Sequence, residues 1–493
     1  ETRSRQLPDS HDDILLTKSR IASNYGLLGN YQEALKINEE IYLTRKKTLG
    51  DKDPKTIQAL HNIGTNYLRL GKLKEGLEIE IKVTELNKEI LGIKNKSTIN
   101  SMAVLATLND KLGNYEKSVK LREEVLSLRQ EIFGESNPAT HTAMGDLAQS
   151  YTSLGRYADA LLLNEKTLKL RLETLGPSHL YTLTSKGNLA ISYTNLGRYN
   201  ESANLSEQIL SQSIDSFGVT HPFTLNAMSN LAAVYQHQNR NKESLELIKK
   251  AYELRVETLG AKHNQTLETM AILATAYNRN GANEKALETQ NDLLKLRIEV
   301  LGEKNPLTIQ TMSGIANTLG LLGRTNEQLE LRKKVYAIRR EVLGDTHPNT
   351  LQIIDQLSRT YQKANDIPMA ASLSSAYING AELQRQQSGL SSENKQSIFS
   401  KYVNGYRNFS YLQAESNHID EAFKISELSK ARTLLESMAS QIANRSSTVP
   451  PSERKKLEQY TNQIDALSQL IEKANTPEEK RNLELNKNNL VPE

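Results

Sequence analysis

The chain has 493 residues and a formal net charge of +4, from 62 Lys and Arg against 58 Asp and Glu. This near balance excludes a dominant electrostatic attraction to nucleic acid or to anionic membrane. The absence of Cys excludes disulfides and thiolate metal sites, and no apolar run approaches the roughly 20 residues of a membrane span. We therefore expect a soluble protein without cofactor, metal site or nucleic-acid partner, cytoplasmic rather than secreted, although composition leaves the compartment open.

A period of 42 residues runs through most of the chain. Leu-Gly or Phe-Gly recurs with that spacing, and its glycines are Gly50, Gly92, Gly134, Gly176, Gly218, Gly260, Gly302 and Gly344. A second column lies between them and comprises Gly29, Gly71, Gly113, Gly155, Gly197, Asn239, Gly281, Gly323 and Asn365. Gly and Asn tolerate the left-handed backbone conformation, so the second column predicts a helix C-terminus in every copy.

The residues after each Leu-Gly glycine are typical of a helix start. Three positions later stand Asp53, Asn95, Asn137, His179, His221, His263, Asn305 and His347, and five of these eight precede Pro. A short polar residue before Pro predicts an N-cap followed by the first helical position. His residues in this column, including His11, are one repeat apart, so we interpret them as caps or loop residues and not as metal ligands. Each repeat is predicted to contain helix A, a tight turn, helix B and a short loop.

Small and aromatic residues share one face of helix A. Ala22, Ala106, Ala148 and Ala190 represent the small column, and Tyr stands three residues later in most copies. Small residues allow close helix packing, but a single helix pair cannot bury its apolar face without its neighbours. We predict an all-α fold, a right-handed superhelical solenoid of antiparallel helix pairs, with nine repeats in residues 8–381.

The unit Leu-Gly-x-x-His-Pro-x-Thr-Leu, followed by Asn-Leu-Ala-x-x-Tyr-x-x-Leu-Gly-Arg-Tyr-x-x-Ala, resembles the long tetratricopeptide repeat (TPR) of kinesin light chains. The copies that begin at Gly134, Gly176 and Gly218 match it well. The resemblance covers residues 8 to about 381 and identifies the repeat class. It implies a superhelix in which helix A lines a concave groove.

After Asn365 the pattern changes. Helices are predicted over Phe399–Glu415 and Asp420–Ile442, with Asn417 in the turn between them, as a degenerate tenth pair within residues 382–445. The segment 420–436 resembles the helix that precedes the caspase-like CHAT domain of bacterial TPR–CHAT proteins. That resemblance implies a bacterial source. It also implies that residues 446–493 form a charged helical hairpin or linker to a protease-like domain that this chain lacks.

Six arginines share a slot near the end of helix B: Arg45, Arg129, Arg171, Arg255, Arg297 and Arg339. One interpretation is a cation that interacts with the dipole at the helix C-terminus. The other is a ladder of anion-binding groups along one face. The first interpretation is favoured, and the second is kept open.

Two polar columns four residues apart on helix A form a single, nearly uncharged stripe. Its candidate peptide-binding residues are Gln58, Asn62, Asn100, Asp146, Asn188, Asn226, Asn230, Gln310 and Gln352. In kinesin light chains an Asn before Leu-Ala lies in the groove, and Asn62, Asn188 and Asn230 match it, whereas Val104, Ile272 and Gly314 depart from the pattern. Side-chain amides both donate and accept hydrogen bonds, which suits the backbone of an extended peptide.

We therefore predict a scaffold that binds a protein or extended peptide in its groove, with no catalytic residue. The alternative is the regulatory half of a CHAT-type peptidase whose catalytic domain follows residue 493. Because the chain begins at Glu1 and not at Met, we also expect further sequence upstream.

Overall fold

The structure, a computed structural model, describes residues 8–387, 402–427 and 429–430. This part of the chain is helical and contains no strand, and none of its helices is long and apolar enough to cross a membrane. The first nine pairs are α1 (Asp12–Leu27), α2 (Tyr31–Leu49), α3 (Pro54–Leu70), α4 (Leu73–Leu91), α5 (Lys96–Lys111), α6 (Tyr115–Phe133), α7 (Pro138–Leu154), α8 (Tyr157–Leu175), α9 (Leu180–Asn195), α10 (Tyr199–Phe217), α11 (Pro222–His237), α12 (Asn241–Leu259), α13 (Asn264–Arg279), α14 (Asn283–Leu301), α15 (Pro306–Leu321), α16 (Thr325–Leu343), α17 (Pro348–Lys363) and α18 (Ile367–Gln387).

The turn between helix A and helix B has the predicted left-handed residue. Gly71 has φ +76°, and Asn239 and Asn365, which replace Gly in this column, have φ +59° and +62°. The backbone N–H of Lys72 donates to the carbonyl of Tyr67 at 2.9 Å, which closes the last turn of α3 across this residue. The sequence prediction of a helix C-terminus at each Gly or Asn is confirmed.

The loop from helix B to the next helix A ends in a side-chain cap. Nδ1 of each His in the cap column accepts the backbone N–H two residues later, at 3.0 to 3.3 Å, in His11, His179, His221, His263 and His347. Asp53, Asn95, Asn137 and Asn305 cap their helices in the same way through a side-chain oxygen. The predicted capping role of His is therefore confirmed, and the described residues contain no metal-binding group of three His, Asp or Glu.

Each helix packs against its neighbours in the chain, and the helix A elements α3 and α5, α7 and α9, and α11 and α13 also touch across one repeat. The small column allows the close approach. Small residues also recur at one position of helix B, as at Ala286 and Ala370. Gln328 stands at this position in α16, and its amide donates to the carbonyl of Ala316 at 3.0 Å. Gly320 leaves the space for it, because a Cβ there would overlap the Gln328 amide. The result is the all-α solenoid predicted from the 42-residue period.

The tenth pair begins with α19 (Val403–Glu415) and continues through a turn at Asn417, φ +63°. Residues 419–427 and 429–430 are helical. The hydroxyl of Tyr406 donates to Glu382 of α18 at 2.6 Å, so α19 is fastened to the last repeat. The predicted helix start at residue 399, the end of the pair up to residue 445 and the hairpin in 446–493 lie outside the described residues.

Repeats far apart in sequence also meet, along a line that we call the seam. The Asn264 amide donates to the Tyr31 hydroxyl at 2.9 Å, and the amide of Asn305, 4% exposed, donates to the Leu70 carbonyl at 3.2 Å. In the next repeat, Nε2 of His347 lies 3.1 Å from the carbonyl of Lys111. These partners are 233 to 236 residues apart, which is more than five and fewer than six repeats. Repeats 1–3 therefore lie side by side with repeats 7–9.

The protonation of His347 fits its place in the seam. Its Nδ1 accepts the backbone N–H of Asn349, so Nε2 carries the proton that is donated to Lys111. The pKa of His347 is lowered to about 4, mainly by burial; the hydrogen bond to Lys111 opposes this shift and the charge of Arg339 adds to it. His347 is thus neutral near pH 7, as this pair of hydrogen bonds requires.

Candidate functional site: the groove along the A helices

The predicted stripe is solvent-accessible along the A helices. Six of its nine residues are exposed, namely Gln58, Asn100, Asn226, Asn230, Gln310 and Gln352, and the other three are half-buried. Five stripe side chains make no hydrogen bond to any described residue: those of Asn100, Asn188, Asn230, Gln310 and Gln352. These amides have their donors and acceptors available to a ligand.

The remaining stripe residues have partners within the chain. The Gln58 amide donates to Asn62 at 3.1 Å, and Asn226 accepts from the guanidinium of Arg255. Asp146 lies 3.5 Å from Arg122. Burial nevertheless raises the pKa of Asp146, and Arg122, Arg129 and Arg171 offset part of that shift.

The six arginines of the helix B slot join each helix B to the next helix A. In every case Nη1 donates to the backbone carbonyl ten residues later, at 2.6 to 2.9 Å; the acceptors are Lys55, Ala139, Tyr181, Gln265, Leu307 and Asn349. Each acceptor is in the first turn of a helix A. The sequence analysis favoured an interaction of each arginine with the C-terminus of its own helix B. The main contact is instead a hydrogen bond to the first turn of the following helix A.

Most of this arginine column is buried beneath the stripe. Arg171, Arg255, Arg297 and Arg339 are buried, whereas Arg45 and Arg129 are half-buried. Burial lowers the pKa of Arg297 and of Arg339 to about 10, which leaves both protonated at neutral pH. The stripe thus presents mainly amides, with Asp146 as its acidic member, and buried guanidinium groups lie below it.

One cavity of about 500 Å³ opens between α13, α15 and α17. Its lining includes the stripe residues Gln310 and Gln352, which shows that these two face a concave surface. Arg297 and Arg339 reach its wall from α14 and α16. The described residues that line it include no Asp or Glu.

The model of the tetratricopeptide repeat family matches residues 13–89, 97–173, 180–255, 223–299 and 307–381, which is more than half of the chain. The chain belongs to the tetratricopeptide repeat family. The match ends at residue 381, where the sequence predicts the end of the ninth repeat. It does not extend to the segment that resembles the region before a CHAT domain.

Solved structures include chains similar to this TPR chain. A Rap protein complexed with competence and sporulation factor is 11% identical, with a TM-score of 0.50, over 76% of this chain and all of the Rap chain, and it shares the fold. A putative kinesin light chain of Podosopora anserina with nearly identical TPR-like repeats is 24% identical, with a TM-score of 0.36, over 42% of this chain and 98% of its own. The comparison with curated proteins found no match.

Sequence reasoning missed a buried polar column in the middle of helix B of this TPR chain. At 42-residue spacing it comprises Asn38, Glu80, Arg122, Asn164, Ser206, Gln290, Arg332 and Ser374, with Ile248 as the apolar exception. Its members reach helix A: Asn164 donates to Ser192 at 2.9 Å, and Arg332 donates to the Gln356 carbonyl at 2.8 Å. The sequence contained a signal for this column, because a polar residue recurs every 42 residues at a helix B position that packs inside the solenoid.

Glu80 is the fully buried carboxyl group of that column, and it contacts His61 at 3.0 Å. Gly64 leaves room for it, since a Cβ at Gly64 would overlap the carboxylate. Burial raises the pKa of Glu80 above its usual 4.5, and the hydrogen bond to His61 opposes part of the shift. The folded state therefore binds the proton more tightly than the unfolded chain, so ionisation of Glu80 reduces stability as the pH rises above about 4.5.

We expect Glu80→Gln to unfold at a higher temperature than the wild type at neutral pH. The gain should disappear as the pH falls to about 4, because Glu80 is then protonated in the folded state and largely so in the unfolded state. Thermal unfolding from pH 4 to pH 8 measures this, with Glu78→Gln at an exposed position of α4 as the control. Destabilisation of Glu80→Gln at neutral pH would instead show that the ionised Glu80–His61 pair supports the fold.

Proposed function

We propose that this TPR chain is a scaffold that binds an extended segment of a partner protein, or a peptide, along the stripe of the A helices. The observation that carries the proposal is the set of stripe amides without a hydrogen bond to any described residue, among them Asn188 and Asn230. Each amide supplies both donors and an acceptor, which is the complement of a peptide backbone. Their repetition at 42-residue intervals suits a ligand that runs along several repeats.

The comparisons are compatible with this proposal. The Rap protein of similar fold was solved together with competence and sporulation factor, so at least one protein of this architecture has a partner in its structure. We extend partner binding, but not that partner, to the present chain. The polar groups along the groove are mainly amides and backbone-bound arginines, and we propose a role in binding without catalysis in these residues.

The alternative, the regulatory half of a CHAT-type peptidase, stays a prediction. The segment that carries it, 420–436, lies after the last residue matched by the family model. The structure describes only residues 420–427 and 429–430 of it.

The proposal is tested with Asn188→Ala combined with Asn230→Ala. Peptides selected from a random display library on the wild-type chain are labelled, and their affinities are measured by fluorescence polarisation. Each lost hydrogen bond weakens binding by about 0.5 to 1.5 kcal/mol, so the double variant should bind about 5- to 150-fold more weakly. Circular dichroism should show an unchanged helix content.

The matched control removes two exposed amides, four residues apart, from a helix B, by Asn204→Ala with Gln208→Ala on α10. This control should bind the selected peptides as the wild type does. If the groove variant retains full affinity, or if the control loses as much, the stripe is not the binding surface.

A further inference from the structure

The seam joins two edges of the solenoid and covers only part of each. We call the row of turns between helix A and helix B the turn edge; it follows the column from Gly29 to Asn365. The loop edge comprises the last turn of each helix B, the loop after it and the first turn of the next helix A. In the seam, the turn edge of repeats 1–3 lies against the loop edge of repeats 7–9. A Cβ on the turn glycine of these three repeats would overlap the facing loop edge, at Gly29, Gly71 and Gly113.

Both edges continue beyond the seam. No described atom lies within 4 Å of a Cβ added at Gly197, Gly281 or Gly323, the turn glycines of repeats 5, 7 and 8. On the other edge, each loop in the seam meets a turn 233 to 236 residues earlier in the chain. The loops before helix A of repeats 2–6 come too early in the sequence to have such a turn. One chain therefore leaves a turn edge open at one end of the superhelix and a loop edge open at the other.

The open part of the loop edge is apolar in repeats 4 and 5. Its large apolar side chains are 37% to 51% exposed: Leu172, Leu180, Tyr181 and Ile214. Leu180 is the first residue of α9 and has the slot that Asn264 and Pro306 occupy in the seam. This slot thus contacts a turn edge in repeats 7 and 8, whereas in repeat 5 it leaves an apolar side chain exposed.

The open turn edge also carries large apolar side chains, which are 36% to 61% exposed in Leu196, Tyr199 and Leu321. Leu196 has the slot of Leu70, which is 5% exposed and whose carbonyl accepts a seam hydrogen bond. Tyr199 has the slot of Tyr31, whose hydroxyl accepts another. Exposed apolar surface with polar residues around it is typical of protein–protein contacts.

We propose that a second copy of this chain docks on these open edges, so that the turn edge of repeats 5–9 in one copy lies against the loop edge of repeats 2–6 in the next. The interface continues the seam and uses the same slots of the repeat, but from two chains. Because the two surfaces differ, the contact is heterologous, and each added copy again leaves one edge of each kind open. Copies therefore stack end to end along the superhelix axis. The inference does not depend on the proposed function, because the edges contain none of the stripe residues.

The test follows the sedimentation velocity of the full chain from about 1 to 100 µM. We expect the wild type to sediment faster as its concentration rises. Leu172→Lys combined with Leu180→Lys places two charges on the loop edge, and the fold accepts them because Lys88 and Lys96 have these slots in other repeats. Burial of an unpaired charge opposes docking, so this variant should self-associate at least about tenfold more weakly.

The turn edge is changed by Leu196→Gln combined with Leu321→Lys, since Gln238 and Lys363 have these slots in other repeats. This variant alone should associate as weakly as the first. A 1:1 mixture of the two variants is the decisive sample, because the first retains its turn edge and the second retains its loop edge. We expect the mixture to form dimers and nothing larger, because each mixed pair has only altered edges left.

The matched control is Leu43→Lys combined with Leu162→Lys, which adds the same charge at exposed leucines within helix B, away from both edges. It should self-associate as the wild type does. A wild type that stays monomeric up to about 100 µM overturns the inference, and so does a control that associates as weakly as the edge variants. If the mixture stays monomeric, the two edges do not dock on each other and the inference is wrong. Full association of either edge variant alone contradicts it equally.

Discussion

Gly71→Ala is expected to open the seam and lengthen the molecule. Gly71 has φ +76°, and a Cβ at this position would overlap Cδ of Pro306, which belongs to a rigid ring. The Asn305 side chain bonds the neighbouring Leu70 carbonyl, so displacement of Pro306 also strains that hydrogen bond. Small-angle X-ray scattering should therefore show a larger maximum dimension and radius of gyration than for the wild type.

Gly281→Ala is the matched control for this experiment. Gly281 belongs to the same turn column and has the same φ of +76°, but no atom lies within 4 Å of an added Cβ. Both variants have an L-residue in the left-handed region, at a cost of about 1 to 2 kcal/mol. Gly281→Ala should lose that stability without a change in scattering. Identical scattering curves for the two variants would mean that the seam is not closed in solution.

The repeat architecture could be predicted because its determinants are local. A Gly or Asn at the turn and a polar cap before Pro act within a few residues of themselves, so their spacing alone predicts helix A and helix B. The His caps are equally local, since Nδ1 of His179 and Nδ1 of His221 each accept a backbone N–H only two residues away. For such features, one copy of the repeat predicts the others.

The seam could not be predicted in this way. It joins Tyr31 to Asn264 and Lys111 to His347, and its register depends on a small rotation between repeats that accumulates over more than five copies. No single repeat contains that information. The cavity is a similar case, because Arg297 and Arg339 come from two repeats and are adjacent only after the solenoid has formed.

Arg255→Met is expected to be one of the most destabilising single changes in the solenoid. Arg255 is 2% exposed, and Nη1 donates to the Gln265 carbonyl at 2.7 Å and to Thr269, while Nη2 donates to Asn226. One guanidinium thus fastens α12 to both α11 and α13. The loss of hydrogen bonds from a charged donor outweighs the relief of its desolvation, and we expect a net loss of about 2 to 4 kcal/mol.

The control for this change is Arg45→Met. Arg45 has the same slot in the first repeat, but it is half-buried and makes the single bond to the Lys55 carbonyl at 2.9 Å. It should lose about 1 kcal/mol. Chemical denaturation measures both losses, and hydrogen exchange should show faster exchange in α12 and α13 of Arg255→Met alone, since each repeat is coupled mainly to its neighbours. Equal stability of the two variants would mean that the buried arginines are not maintained by their contacts between helices. Anion binding along the column, the interpretation kept open by the sequence, would then be the better account of all six.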